Sequence, residues 1–202
     1  MRRNMWHGII VPVAILMITT SVAWADITLS LQPSSQSVTQ GSPATIDLDI
    51  AGLGDPPSIG TFDLNVGFDP TILSFSAFAF GDPVLGDDQL DPTGGGNTIN
   101  FVNPGVGTVE LFDLSLDTDS TLNSLQTSSF ALGVLTFDTI GVGTSSLNLS
   151  INALGDEDGN SLSAILLNGS VDVGGTSAVP EPSFLFLLAT GLALMHVRRV
   201  LR

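Results

Sequence analysis

Asp156, Glu157, Asp158 and Asn160 place four oxygen-bearing side chains around Gly159, the densest such group in the 202-residue chain. Oxygen donors at this spacing suit a hard cation, and Ca²⁺ above all. The stretch carries the D-x-D-G core of a calcium loop, yet the twelfth position counted from Asp156 is Leu167 rather than Glu. Two readings follow: a calcium site through Asp156, Asp158 and Asn160, or a polar turn between strands with Gly159 at positive φ. A second candidate calcium group is Asp87, Asp88 and Asp91, just ahead of Gly94-Gly95-Gly96; its alternative is a solvated loop. Asp113, Asp117 and Asp119 read as exposed positions on a strand and the turn after it. Asn148-Leu149-Ser150 and Asn168-Gly169-Ser170 fit a glycosylation pattern and read better as structural turns.

The charge distribution favours a bound cation. Of 20 acidic residues only Glu181 lies outside residues 26–178, which leaves 19 carboxylates there, while all five Lys and Arg and both His lie outside that segment. Its formal charge is therefore −19. Such a surface repels nucleic acid, whose phosphates need Lys or Arg, and a bound metal would relieve the self-repulsion. The segment also lacks Cys, Tyr and Trp. No triad, Schiff base, thiol nucleophile or cationic oxyanion site can be assembled from it, and no catalytic residue is expected. Paired carboxylates are the one remaining route to an enzyme, a glycosidase, and no pair stands out. Sugar stacking on Trp or Tyr is unavailable, and the nine Phe of the segment mostly fall at strand-alternating positions that suit a core.

The elements that must position these groups read as strands. Leu29 and Leu31 alternate with Thr28 and Ser30; Ile46, Leu48 and Ile50 alternate with Asp47 and Asp49; Phe62, Leu64, Val66 and Phe68 alternate with Asp63 and Asn65. Asp69-Pro70 closes the third strand with turn chemistry. Residues 72–80, 98–102, 108–116, 130–140, 146–151 and 165–173 make six more, about nine in all. Residues 81–97 form a long turn region, and residues 121–129 have room for one short helical turn. Short strands punctuated by Gly, Pro and Asp predict an all-β fold, an antiparallel β-sandwich of jelly-roll type.

Both ends are built differently. Arg2 and Arg3, the apolar run 9–22 and Ala23-Trp24-Ala25 make a signal peptide over residues 1–25, with cleavage after Ala25. Residues 179–202 hold Pro180-Glu181-Pro182, an apolar stretch over 183–197 that reads as a transmembrane helix, then Arg198, Arg199 and Arg202. At about 1.5 Å per residue that helix spans roughly 22 Å, and its trailing arginines favour the cytoplasmic side. This order of features resembles the PEP-CTERM sorting signal of Gram-negative bacteria. The resemblance implies export through the inner membrane and anchoring there by the tail. An exosortase would then process it and deliver it to the cell surface or the exopolysaccharide-rich biofilm matrix.

The segment between, residues 26–178, resembles cohesin domains. The resemblance is carried by the strand, Asp-Pro, strand run from Phe62 to Phe75, then by Gly133–Phe137, Gly143-Thr144, Asp156–Asn160 and Asn168–Val171 in that order. It implies a cohesin-like sandwich with a non-catalytic role in protein or matrix interaction, and a dockerin-like protein as partner. A carbohydrate-binding module for exopolysaccharide, Ca²⁺-assisted or purely polar in its contacts, is the alternative.

Overall fold

The structure, a computed structural model, describes residues 26–54, 56–86 and 88–175. Ala23, Ala25, Asp87, Pro180, Glu181, Pro182, Arg198 and Arg199, and with them both terminal signals, lie outside the described residues. Among the described residues, no helix is long and apolar enough to cross a membrane.

Alternation of side chains sets the architecture. The described chain forms β1 (Thr28–Gln32), β2 (Ser35–Thr39), β3 (Pro43–Ala51), β4 (Ile59–Gly67), β5 (Leu73–Phe80), β6 (Thr98–Gly105), β7 (Thr108–Ser115), α1 (Asp119–Leu125), β8 (Ser129–Thr139), β9 (Gly143–Asp156), β10 (Ile165–Leu167) and β11 (Gly169–Gly174). These build two sheets, ordered β10-β1-β3-β8-β5 and β2-β11-β9-β4-β7-β6. Each strand's apolar phase faces the other sheet: Leu29, Leu31, Ile46, Leu48, Ile50, Leu135 and Phe137 from one side meet Phe62, Leu64, Val66, Val109, Leu111, Leu147 and Val171 from the other, all fully buried. Phe137 anchors one end of this layer, with Phe68 and Phe75 edge-on to its ring at 5.1 and 6.1 Å.

Three details differ from the sequence expectation. Ser35–Thr39 is a strand although only Val38 in it is apolar; it is an outer strand held by backbone pairing with β11. Residues 165–173 are two strands rather than one, because the chain passes from one sheet to the other at Asn168, whose Oδ1 accepts the Leu149 N–H at 2.9 Å. The sandwich is also not wholly antiparallel. The N-terminal pair β1–β2 and the C-terminal pair β10–β11 cross between sheets side by side, so β1 runs parallel to β10 and β2 parallel to β11.

Gly133 shows how tightly the five-stranded sheet is closed. The Phe78 ring lies directly over it, and an added Cβ would also sit 2.5 Å from the Ala79 carbonyl oxygen. A backbone oxygen cannot swing away, so Gly133→Ala is expected to cost roughly 2–3 kcal/mol by urea denaturation. An unchanged midpoint would mean that the β5–β8 pairing is looser than described.

Candidate functional site

Two places on the sandwich carry groups that a core does not need. The first is the outer face of β9-β4-β7-β6. Cross-strand register lines up Ile99, Leu114 and Thr61 in one row, Phe101, Phe112 and Asp63 in the next, and Asn103, Glu110 and Asn65 in a third. The β6–β7 end of this face is apolar and the β4–β9 end polar. Ile99 and Phe101 are about half exposed, at 53% and 45%, and the Phe101 ring stacks on Phe112 at 4.8 Å with 16° between planes. These two rings are thus on the surface, not in the core as the alternation of Phe residues suggested. The polar end is pre-ordered: Asn65 Nδ2 donates to Asn152 Oδ1 at 3.0 Å, and Asn152 Nδ2 donates to Asp63 Oδ1 at 2.9 Å.

The second place lies under the segment joining β5 to β6. Rather than the free turn region that its Gly and Asp content predicts, it is folded down onto the sandwich, with Leu90 fully buried and Gln89 and Asp91 nearly so. Gln126 Nε2 donates to the Gln89 carbonyl at 2.9 Å, Leu116 N–H donates to the Asn97 carbonyl at 2.7 Å, and the Ser115 hydroxyl donates to the Leu90 carbonyl. Asp91 closes the glycine run by accepting from Gly95 N–H at 3.0 Å and Gly96 N–H at 2.6 Å. Burial raises the Asp91 pKa, these N–H donors outweigh it, and the net result is a lowered value. Asp88 Oδ1 accepts the Leu90 N–H at 3.0 Å.

Beneath this segment sits Asp113, with no exposed surface at all. The expectation of an exposed position is corrected here. Val109, Leu111 and Asp113 share the inward phase of β7, so the strand that buries the two apolar residues buries the carboxylate with them. Neither Asp113 oxygen has a hydrogen-bond partner. Burial first, and then the charge and carboxyl of Asp88 with a smaller push from Asp91, raise its pKa to about 8; the Leu114 N–H opposes this but falls short of hydrogen-bond geometry.

The other expected group resolves into a turn. Asp156 Oδ1 accepts from the Asp158 and Asn160 N–H groups at 3.0 and 2.7 Å, its Oδ2 accepts Asn160 Nδ2 at 3.1 Å, and Gly159 has φ of +83°. Asp158 points toward Asp119, whose charge raises its pKa. Glu157 turns inward instead, accepting from Ser58 N–H and Asn123 Nδ2, both at 2.9 Å, and so ties this turn to α1. Among the described residues, no group of three or more His, Cys, Asp or Glu side chains converges on a metal position.

A shallow concavity of ≈ 350 Å³ on the opposite sheet is lined by Asp47, Asp49 and Asp82. Burial and then its neighbours Asp47 and Asp82 raise the Asp49 pKa. Asp82 itself is spent on structure, accepting Ala131 N–H at 2.8 Å and Val84 N–H at 2.7 Å.

No protein-family model matches this chain. No curated protein sequence matches it either. Solved structures do resemble it. The sixth cohesin of scaffoldin B from Acetivibrio cellulolyticus, in complex with a Cel5 dockerin variant, superposes with a TM-score of 0.56 at 20% identity, covering 74% of this chain and 99% of that one. A non-cellulosomal cohesin from the archaeon Archaeoglobus fulgidus gives 0.56 at 16% identity, over 79% and 99%. A type I cohesin–dockerin complex from Clostridium thermocellum gives 0.57 at 14%, over 74% and 99%. The fold is therefore a cohesin-like β-sandwich.

Proposed function

We propose that this chain is an exported protein, addressed by a PEP-CTERM-type tail to an exosortase and through it to the cell surface or extracellular matrix. There its cohesin-like sandwich binds another protein without catalysis. The observation that carries this reading is the Phe101 ring, about half exposed and stacked on the partly buried Phe112, with Ile99 beside it on the same sheet face. Exposed aromatic and aliphatic side chains bordered by ordered polar groups are what a protein interface buries. Cohesins of the same fold crystallise with dockerins, which supports a dockerin-like partner. With a formal charge of −19 between residues 26 and 178, the face suits a partner with a basic rim.

A carbohydrate-binding module for exopolysaccharide is the second reading, favoured by the same exposed Phe101 ring, which offers a flat apolar surface to a sugar. Both readings leave catalysis aside. A panel of purified dockerin modules and a glycan array, each run with and without Ca²⁺, separates them. Protein binding is expected from the first. Strong, selective glycan binding with no dockerin captured would overturn it. Mass spectrometry of the surface-associated and released forms tests the sorting: the account expects ends near Asp26 and near Pro180, and an intact tail on the surface form would contradict it.

A further inference from the structure

Five buried side-chain atoms among the described residues have no hydrogen-bond partner, and all five are oxygens: Gln36 Oε1, Gln89 Oε1, both carboxylate oxygens of Asp113, and Asp117 Oδ2. Four of them belong to the segment between β5 and β6 or to the end of β7 and the residues after it, which that segment covers. Asp117 is tied to the same segment, since its Oδ1 accepts Asn97 Nδ2 at 2.9 Å. A buried acceptor without a donor is costly, and an ionised one more so. Proteins usually answer such a deficit with Lys, Arg or His, and residues 26–178 contain none. The missing positive charge must come from solution.

We propose that Asp113 and Asp88 are the two protein carboxylates of a calcium site beneath the β5–β6 segment, completed by the Gln89 amide oxygen, backbone carbonyls and water. Asp113 supplies the observation that a cluster of acids alone would lack, a carboxylate with no exposed surface and both oxygens unclaimed. The chemistry selects the ion. Only oxygen ligands are on offer, which excludes the thiolate and imidazole metals, and Ca²⁺ accepts carbonyl and water oxygens in an irregular shell where Mg²⁺ demands an octahedron. The ion would pin the segment that leads directly into β6, the strand carrying Ile99 and Phe101. The inference does not depend on what that face binds.

The test is calcium titration of the full-length protein by calorimetry after chelator treatment, with Mg²⁺ alone as the comparison. One site per chain with a Kd of about 10⁻³ M or tighter is expected. Asp113→Asn and Asp88→Asn should each weaken it at least about tenfold, as for loss of one hard ligand. Asp138→Asn, which removes an exposed charge from β8, should change it less than about twofold, as screened surface charges do. Asp88 is only half-buried, so its variant keeps the test open if Asp113→Asn fails to fold. Equal losses in all three variants would mean diffuse counter-ion attraction and overturn the proposal. So would absence of a stoichiometric site, or binding lost on neutralising Asp156 with Asp158 but kept in the Asp88 variant.

Discussion

In chelator at pH 7, Asp113→Asn is expected to be more stable than the wild type by about 2 kcal/mol and to lose most of the wild type's dependence on pH. The sign follows from protons bound. Unfolded, Asp113 ionises near the ordinary aspartate value of 3.8; folded, it holds its proton to about 8. Between those values the native state binds more protons than the unfolded chain, so stability falls as pH rises from 4 to 8 and then levels. At about 1.4 kcal/mol per unit the cost at pH 7 reaches ~4 kcal/mol, a large part of the 5–15 kcal/mol that holds a domain together. Of the other carboxylates, Asp88 and Asp91 face Asp113 from the covering segment. Asn removes the charge yet keeps the shape, and its amide can donate to Asp88. Asp82 and Asp91, whose pKa values are lowered on balance, act at the other end: they add stability above the ordinary carboxylate range that is lost in acid. Urea denaturation across pH 4–8 decides the matter. An equal decline with pH in both proteins would remove Asp113 from the account.

The second large effect concerns the partner. Phe101→Asp is expected to weaken binding by at least about 100-fold, the loss of a central aromatic anchor plus the burial of a charge, close to 3 kcal/mol. Folding stability should change far less, since the ring is about half exposed on a strand at the sheet edge; substitutions at such positions fall within about 1 kcal/mol. Biolayer interferometry against a dockerin module captured by the wild type reads the first effect, and thermal melting the second. Affinity unchanged within about twofold would move the interface off this face, because hot-spot residues cannot be neutral.

Much of the fold could be read from alternation alone. Strands such as β3 and β4 declare themselves because Ile46, Leu48, Ile50 and Phe62, Leu64, Val66 occupy every second position against polar neighbours. β2 does not, because an edge strand held by backbone pairing needs no apolar phase, and Ser-Gln-Ser-Val-Thr has almost none. The break at Asn168 is only half legible: Asn168-Gly169-Ser170 marks a turn, but that the chain changes sheets there shows only in the strand pairing and the Asn168 bond to Leu149. Three site residues lie on the same period. Asp113 stands two residues after Leu111 and four after Val109, so the period that marks those as core marks Asp113 as core. Phe101 and Phe112 fall on the opposite phase from Val102 and Leu111 and were therefore outward from the start. What periodicity could not give is the way the β5–β6 segment folds down, since that rests on bonds from Ser115, Leu116 and Gln126, distant in sequence. The reverse holds for the Asp156 turn: its composition looks like a metal loop, but the Asp156 oxygens accept from Asp158 and Asn160 within the turn and the Glu157 oxygens from Ser58 and Asn123.

Hydrogen-exchange mapping of the full-length protein with a captured dockerin module tests the interaction account most directly. Protection is predicted across β6, β7 and β4, centred on Phe101 and Phe112, with β1, β3 and β8 unchanged. Protection confined to the five-stranded sheet, or none anywhere on β6 and β7, would contradict it.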